Sequence, residues 1–195
     1  MKIKLSVMLV DENPERSSLV ADYLSDAGYD VVCQLDNTEH LTVQIEQVQP
    51  DVIVLDVDSP DRDTLEDVHL ATKNAPRPIV LFTDESDQNT MDKAIKTGIS
   101  AYVVDGLSKS RIKPIIEVAV ARFQEYQSLR SELDDVKSRL ADRKDIDIAK
   151  GLLQKQYSLS EERAYQALRK IAMDQKITIG EAARSLISIS KIVSS

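Results

Sequence analysis

Two sets of residues in this 195-residue chain have the types and spacing to do chemistry. The first is acidic. Asp11-Glu12 follow the apolar run SVMLV, and Asp56 and Asp58 close DVIVLDVD. Thr83 follows PIVLF, and Asp105 follows AYVV, which also holds Tyr102. A carboxylate can attack phosphorus to give an acyl phosphate, although two anions must meet. Mg²⁺ held by clustered carboxylates offsets that repulsion and orients the transferring group. The second set is basic and aromatic: Lys150, Arg169, Lys170 and Lys176, with Tyr165 among them. Such cations contact phosphates or base edges. An aromatic ring stacks on an unpaired base, a contact worth about 1–3 kcal/mol. Gly151 and Ala149 allow a close approach by a ligand or a neighbouring helix.

The acids recur at one place in a repeating pattern. Through about Arg111, nearly continuous Val/Ile/Leu runs at 5–10, 29–34, 51–55, 79–82 and 101–104 alternate with amphipathic segments at 14–27, 39–47, 64–74 and 89–97. A fifth helix begins near Ser110. Apolar strands separated by helices predict a parallel sheet covered on both faces. In such a sheet the site lies at the carboxyl ends of the strands, where these acids fall.

The basic set lies on three short helical faces. Ala149, Leu152 and Leu153 form one, Ala164, Leu168, Ile171 and Ala172 the second, and Ile179, Ala182, Ala183, Leu186 and Ile187 the third. Ser160 before Glu161-Glu162 predicts the start of the middle helix. Upstream, from Arg111 to about Lys155, the sequence shows no stop signal. It holds one proline, Pro114, expected in the first turn, and no glycine before Gly151. Tyr126, Leu129, Leu133, Val136 and Leu140 step by heptad spacing, with Arg122 and Arg143 at the flanking seam positions. A solvated charged helix would leave those five residues exposed, and a parallel coiled-coil dimer would cover them.

Composition narrows the function. The net charge of −8 divides unevenly: residues 1–111 carry 10 Lys/Arg against 21 Asp/Glu, and residues 143–195 carry 10 against 6. An acidic half joined to a mildly basic one suits a regulator whose far end meets nucleic acid. The lone Cys33 excludes an internal disulfide, and His40 and His69 lack ligand spacing. No Ser-His-Asp arrangement or Gly-rich phosphate loop is present, so the expectation is a non-enzyme. No run reaches the ~20 apolar residues of a membrane span. The start, MKIKLSVMLVDENP, reads as a buried strand rather than a signal peptide, and the expected location is cytoplasmic.

The segment DVIVLDVDSP, with its preceding acid pair and following threonine, resembles the response-regulator receiver family. That resemblance implies Asp56 as phosphoacceptor, a Mg²⁺ site from Asp11, Glu12 and Asp56 with the Asp58 carbonyl, Thr83 as phosphoryl partner and Tyr102 as aromatic switch. It also implies a histidine kinase as a possible partner. The family's lysine after strand five is replaced here by Asp105, so a cation becomes an anion beside other acids. At an effective dielectric near 20 and about 4 Å, each such contact is on the order of 4 kcal/mol. Asp105 therefore favours control by a protein partner over routine phosphorylation.

The order AKGLL, SxEERAY, LR, A-M and I-x-x-A-A, over about residues 143–192, resembles the ANTAR family, the AmiR and NasT transcription antitermination regulators. That implies a three-helix domain binding paired hairpin loops in mRNA leaders, with Ala149, Lys150, Gly151, Tyr165, Arg169, Ala172, Met173, Lys176 and Ala183 as family positions. SPDRD, RPIVLFTDE and GISAYVVDG resemble the nitrate-assimilation branch, which implies nitrate or nitrite genes and a sensor protein that sequesters the regulator. The expected architecture is a flavodoxin-like α/β receiver over 1–111, a coiled-coil linker helix over 112–142 and an all-α ANTAR domain over 143–195. Two alternatives are a DNA-binding response regulator and a receiver-based protein-interaction module. The last helix is poor in Lys/Arg, against the first, and the AKGLL to A-A pattern is against the second.

Overall fold

The structure, a computed structural model, describes residues 4–104 and 106–193. Asp105 lies outside the described residues. The described elements are β1 Ser6–Asp11, α1 Pro14–Asp26, β2 Asp30–Leu35, α2 Leu41–Val48, β3 Val52–Asp56, α3 Arg62–Asn74, β4 Ile79–Thr83, α4 Gln88–Lys96, β5 Ala101–Val104, α5 Lys109–Tyr157, α6 Glu161–Gln175 and α7 Ile179–Val193. They form two compact units, residues 1–127 and 128–195, and α5 contributes to both.

In the first unit all strands pair in parallel in the order β2-β1-β3-β4-β5. This is the flavodoxin-like arrangement. Because side chains alternate across a strand, each strand divides its apolar residues between two cores. Met8, Val10, Ile53, Leu55, Ile79 and Leu81 meet Leu41, Ile45, Val68, Ala71 and Ala94 of α2, α3 and α4. Val7, Leu9, Val52, Val54, Val80 and Phe82 meet Val20 and Leu24 of α1 and Ile112, Ile116 and Ala119 of α5. Each large apolar side chain fully buried this way contributes about 1.5–3 kcal/mol before entropy is counted. That holds the strand ends, and the acids on them, in fixed register: Asp11 pairs beside Asp56, and Thr83 beside Val104.

The second unit has a smaller core of Ala149, Leu153, Ala164, Leu168 and Ala183, flanked by Ile146, Leu159, Ile179, Leu186 and Ile187. Alanines predominate because short helices with a thin core must approach closely. Ser160 caps α6 as its sequence predicts, its Oγ accepting from the Arg163 N–H. The α7 start is a capping box. The Thr178 N–H donates to Glu181 at 2.8 Å, and the Glu181 N–H donates to the Thr178 hydroxyl at 3.2 Å.

Two local expectations change. Helix α5 begins at Lys109, so Pro114 is its sixth residue, in the second turn rather than the first. Lacking an N–H, it cannot donate to the Ser110 carbonyl, which lies on an exposed residue. Helix α2 begins at Leu41 rather than Glu39, because His40 takes a left-handed conformation, φ 61°. The five seam residues of α5 are all exposed, Leu140 at 63%.

Candidate functional site

The acidic pocket is built by β1, β3 and β4 ending at one edge of the first unit. Asp11, Asp56 and Thr83 are buried, at 1%, 4% and 1% exposure. Glu12 is exposed, and so is the Asp58 side chain. The cation among them is Arg16, from the first turn of α1. Its Nε donates to both Asp11 carboxylate oxygens, at 3.0 and 3.1 Å. One terminal nitrogen donates to Asp58 Oδ1 at 2.6 Å, and the other to the Asp56 main-chain carbonyl at 3.2 Å. Its Nε also lies 3.6 Å from the Asp56 carboxylate. The buried acids hold the Arg16 guanidinium well above its ordinary range, the bond to Asp11 contributing most.

Asp56 sits differently. Burial pushes its carboxyl up to about 6; Arg16 pulls it back, and Asp11, Asp58 and Asp84 add to the rise. A cleft of about 260 Å³ beside it is lined by Arg16, Tyr23, Asp56, Asp58, Asp84 and Gly106, among others. Asp56 thus lines the cleft from one side while burial, more than any neighbour, sets its raised proton affinity.

The other predicted pocket residues are tied up. Thr83 Oγ donates to the Asp58 carbonyl at 2.8 Å and accepts from the Glu85 N–H at 3.1 Å. That carbonyl also accepts from the Asp84 N–H at 3.3 Å. The half-buried Tyr102 donates its hydroxyl to the Glu85 carbonyl at 2.8 Å. Lys109, the nearest lysine after Asp105, pairs instead with Asp26 at 2.6 Å, its Nζ 5.7 Å from the Tyr23 ring centre. It offers no substitute cation to Asp56; Arg16 is the cation at hand.

Mg²⁺ favours oxygen donors, and Asp11 and Asp56 are suitable by type. Their arrangement does not fit the ion. Both Asp11 oxygens are given to Arg16, Glu12 is exposed, and the Asp58 carbonyl is engaged with Thr83 and Asp84. Among the described residues no three Asp, Glu, His or Cys side chains converge as a cation cage.

Sequence reasoning missed Arg16, although a signal existed. Asn13 caps α1, accepting from the Glu15 and Arg16 N–H groups at 3.0 and 3.2 Å, which fixes Arg16 in the first helical turn. A cation there opposes the helix dipole, so its placement needs another reason, and the strand-end acids supply one.

In the second unit, Tyr165, Arg169 and Met173 recur at near-integral turns of α6 and share one exposed face, and the exposed Lys176 follows directly after the helix. Tyr165 is 39% and Met173 68% exposed. Lys176 takes the left-handed position that ends the helix, φ 56°. Lys150 of α5 reaches Glu161, one turn before Tyr165, at 2.8 Å, and also Asp147 at 2.8 Å. Lys170 is exposed but falls off this line. Gly151 is exposed, with nothing near enough to touch an added Cβ, so no packing inside the unit requires it. Ala149, Ala172 and Ala183 are core residues.

Comparison with known proteins agrees with this division. Residues 7–117 match the response regulator receiver domain, and residues 134–187 the ANTAR domain. Transcriptional regulatory protein PdtaR of Mycobacterium tuberculosis is 31% identical over 168 residues, covering 86% of this chain and 82% of that protein. The Nitrate regulatory protein of Klebsiella oxytoca is 34% identical over 85 residues, covering 44% of this chain and 22% of that protein. The receiver fold recurs in the signal receiver domain of a modulated diguanylate cyclase from Desulfovibrio desulfuricans, with TM-score 0.56 and 20% identity over 64% of this chain and 99% of that one. It recurs also in a LuxR-family two-component response regulator from Aurantimonas, with TM-score 0.55 and 22% identity over 61% of this chain and 86% of that one. A receiver with five parallel strands, followed by ANTAR helices and matched along most of its length by a relative of the same size class, has one reading: the chain belongs to the response regulators that carry an ANTAR domain.

Proposed function

We propose that this chain is a transcription antitermination regulator whose C-terminal unit binds paired hairpin loops in a nascent mRNA leader and so prevents the terminator from forming. The observation that carries the reading is the exposed line Tyr165–Arg169–Met173 on α6 with Lys176 at its end and Lys150 at its head. It offers a stacking ring, an apolar side chain and two cations over about three helical turns, with the Lys150 ammonium held against Asp147 and Glu161 beside them. Loop RNA is the suitable target, because splayed bases can be stacked and read while A-form grooves hide theirs. The five exposed heptad residues of α5 form a parallel coiled coil with a second copy, giving one particle two such surfaces. The nitrate branch resemblance and the Klebsiella relative support nitrate or nitrite assimilation genes as the target. Control comes from a sensor protein that sequesters the regulator in the cytoplasm, from phosphorylation at Asp56, or from both.

The test is binding of the purified, unphosphorylated protein to a two-hairpin leader RNA across a salt series, with duplex DNA as competitor. Loop-dependent RNA binding that DNA does not displace is the expected result. Equal binding to RNA and DNA, with loss of loop dependence, would refute it.

A further inference from the structure

We propose that Arg16 is a built-in cation that occupies the receiver's metal position, so that a divalent ion must displace it before reaching Asp11. The proposal concerns the first unit and stands whatever the C-terminal helices bind. It rests on four contacts of one side chain. Arg16 gives its Nε to both Asp11 oxygens, one arm to Asp58 at 2.6 Å and the other to the Asp56 carbonyl at 3.2 Å, with the Asp56 carboxylate 3.6 Å away. A third hydrogen bond, from the Asn13 N–H, reaches Asp11 Oδ1 at 2.9 Å. The buried Asp11 carboxylate is therefore satisfied by its own chain.

A planar guanidinium suits this role better than an ammonium would, because its fork serves several oxygens at once. The donors an ion would use face elsewhere. Glu12 is in solvent, and the Asp58 carbonyl is held by Thr83 and Asp84. Arg16 is also well placed for exchange. Its side chain is 30% exposed, and one anchor, Asp58, lies at the surface with its side chain 77% exposed. Losing the Asp58 contact would let the guanidinium swing outward. The pocket thus holds its shape and part of its charge is offset without an ion, and a protein partner docking beside Asp56 meets the Arg16-closed form.

The test is a Mg²⁺ titration of the full-length protein by calorimetry and by thermal unfolding, comparing wild type with Arg16→Gln. Removing the tethered cation should tighten Mg²⁺ binding about tenfold or more, a change of the size that groups around a metal site commonly impose. The unfolding midpoint of Arg16→Gln should rise with millimolar Mg²⁺ while that of wild type stays flat. Equal Mg²⁺ affinity in the two proteins, or no binding by either, overturns the proposal. A second measurement keeps the question answerable if the variant does not fold. In wild type the Arg16 Nε–H should exchange with solvent far more slowly than that of Arg62, whose pairing with Glu66 is exposed on α3. Exchange as fast as Arg62 overturns the proposal on its own.

Discussion

At the scale of single residues, Asp56 and the α6 cations make separable predictions. The Asp56 carboxyl, pushed up to about 6 chiefly by burial, binds a proton in the folded chain at pH values where the unfolded chain has released it. Between the ordinary carboxylate value of about 3.9 and about 6, stability therefore falls as pH rises, by on the order of 3 kcal/mol across the window. Asp56→Asn removes the titrating group. Its unfolding midpoint at about pH 7.5 should exceed that of wild type, and the difference should shrink near about pH 4. A midpoint lower than wild type at both pH values would show that the ionised carboxylate is a net stabiliser beside Arg16. On α6, Arg169→Ala should weaken hairpin binding by about 1–3 kcal/mol and flatten the salt dependence, with an unchanged thermal midpoint. Lys150→Ala should also weaken binding, and it leaves Glu161 unpaired at the head of the same face. Unchanged affinity of both variants at matched salt would remove this face from consideration.

At the scale of elements, two glycines of the second unit should behave oppositely. Gly151 lies mid-helix in α5, exposed and in open space. Gly151→Ala should stabilise the unit by about 0.5–1 kcal/mol, the usual helical gain. If RNA approaches that surface, affinity falls in the same variant. A more stable variant with full affinity would mean that nothing docks there. Gly180 is buried in the first turn of α7, where an added methyl collides with the Asp142 carboxylate of α5. Asp142 in turn pairs with Arg184, which also lies 3.6 Å from Asp145. Gly180→Ala should push the Asp142 carboxylate off Arg184 and lower the midpoint of this unit, read by circular dichroism on the full chain. Elements were also the scale most legible in the sequence. Nearly continuous apolar runs located the five described strands and period-3.6 faces the seven described helices, because burial itself imposes both patterns. Boundaries slipped where a backbone detail decided them, as at His40. Arg16 escaped because a side chain that folds back on a strand end leaves no periodic trace. The charges of Lys109 and Asp26, drawn together across more than eighty residues of chain, escaped for the same reason.

For the whole molecule, the question is how a chain of net charge −8 would bind the RNA proposed for it. Six acids against ten bases in residues 143–195 leave a small positive excess, too little for tight phosphate-driven binding by one copy. Two copies change the arithmetic. Joined through α5, the second hairpin contact becomes intramolecular, and avidity can exceed a single contact by about 10²–10⁴ without any new residue at the interface. The paired hairpins of the proposed target are the matching geometry. The exposed Tyr126, Leu129, Leu133, Val136 and Leu140 would supply the seam of the proposed dimer, and an apolar stripe of this length in solvent would otherwise be a liability. Leu133 lies at the middle of the seam, so Leu133→Glu places two buried like charges across the helix pair and should give a monomer by sedimentation at micromolar concentration. In that variant the affinity for a single hairpin should be kept, while the advantage of a two-hairpin leader over a single hairpin disappears. If the monomeric variant retained that advantage, the seam would not be what couples the two contacts. A wild-type protein that sediments as a monomer while binding two-hairpin RNA tightly would place the second contact on the same chain instead.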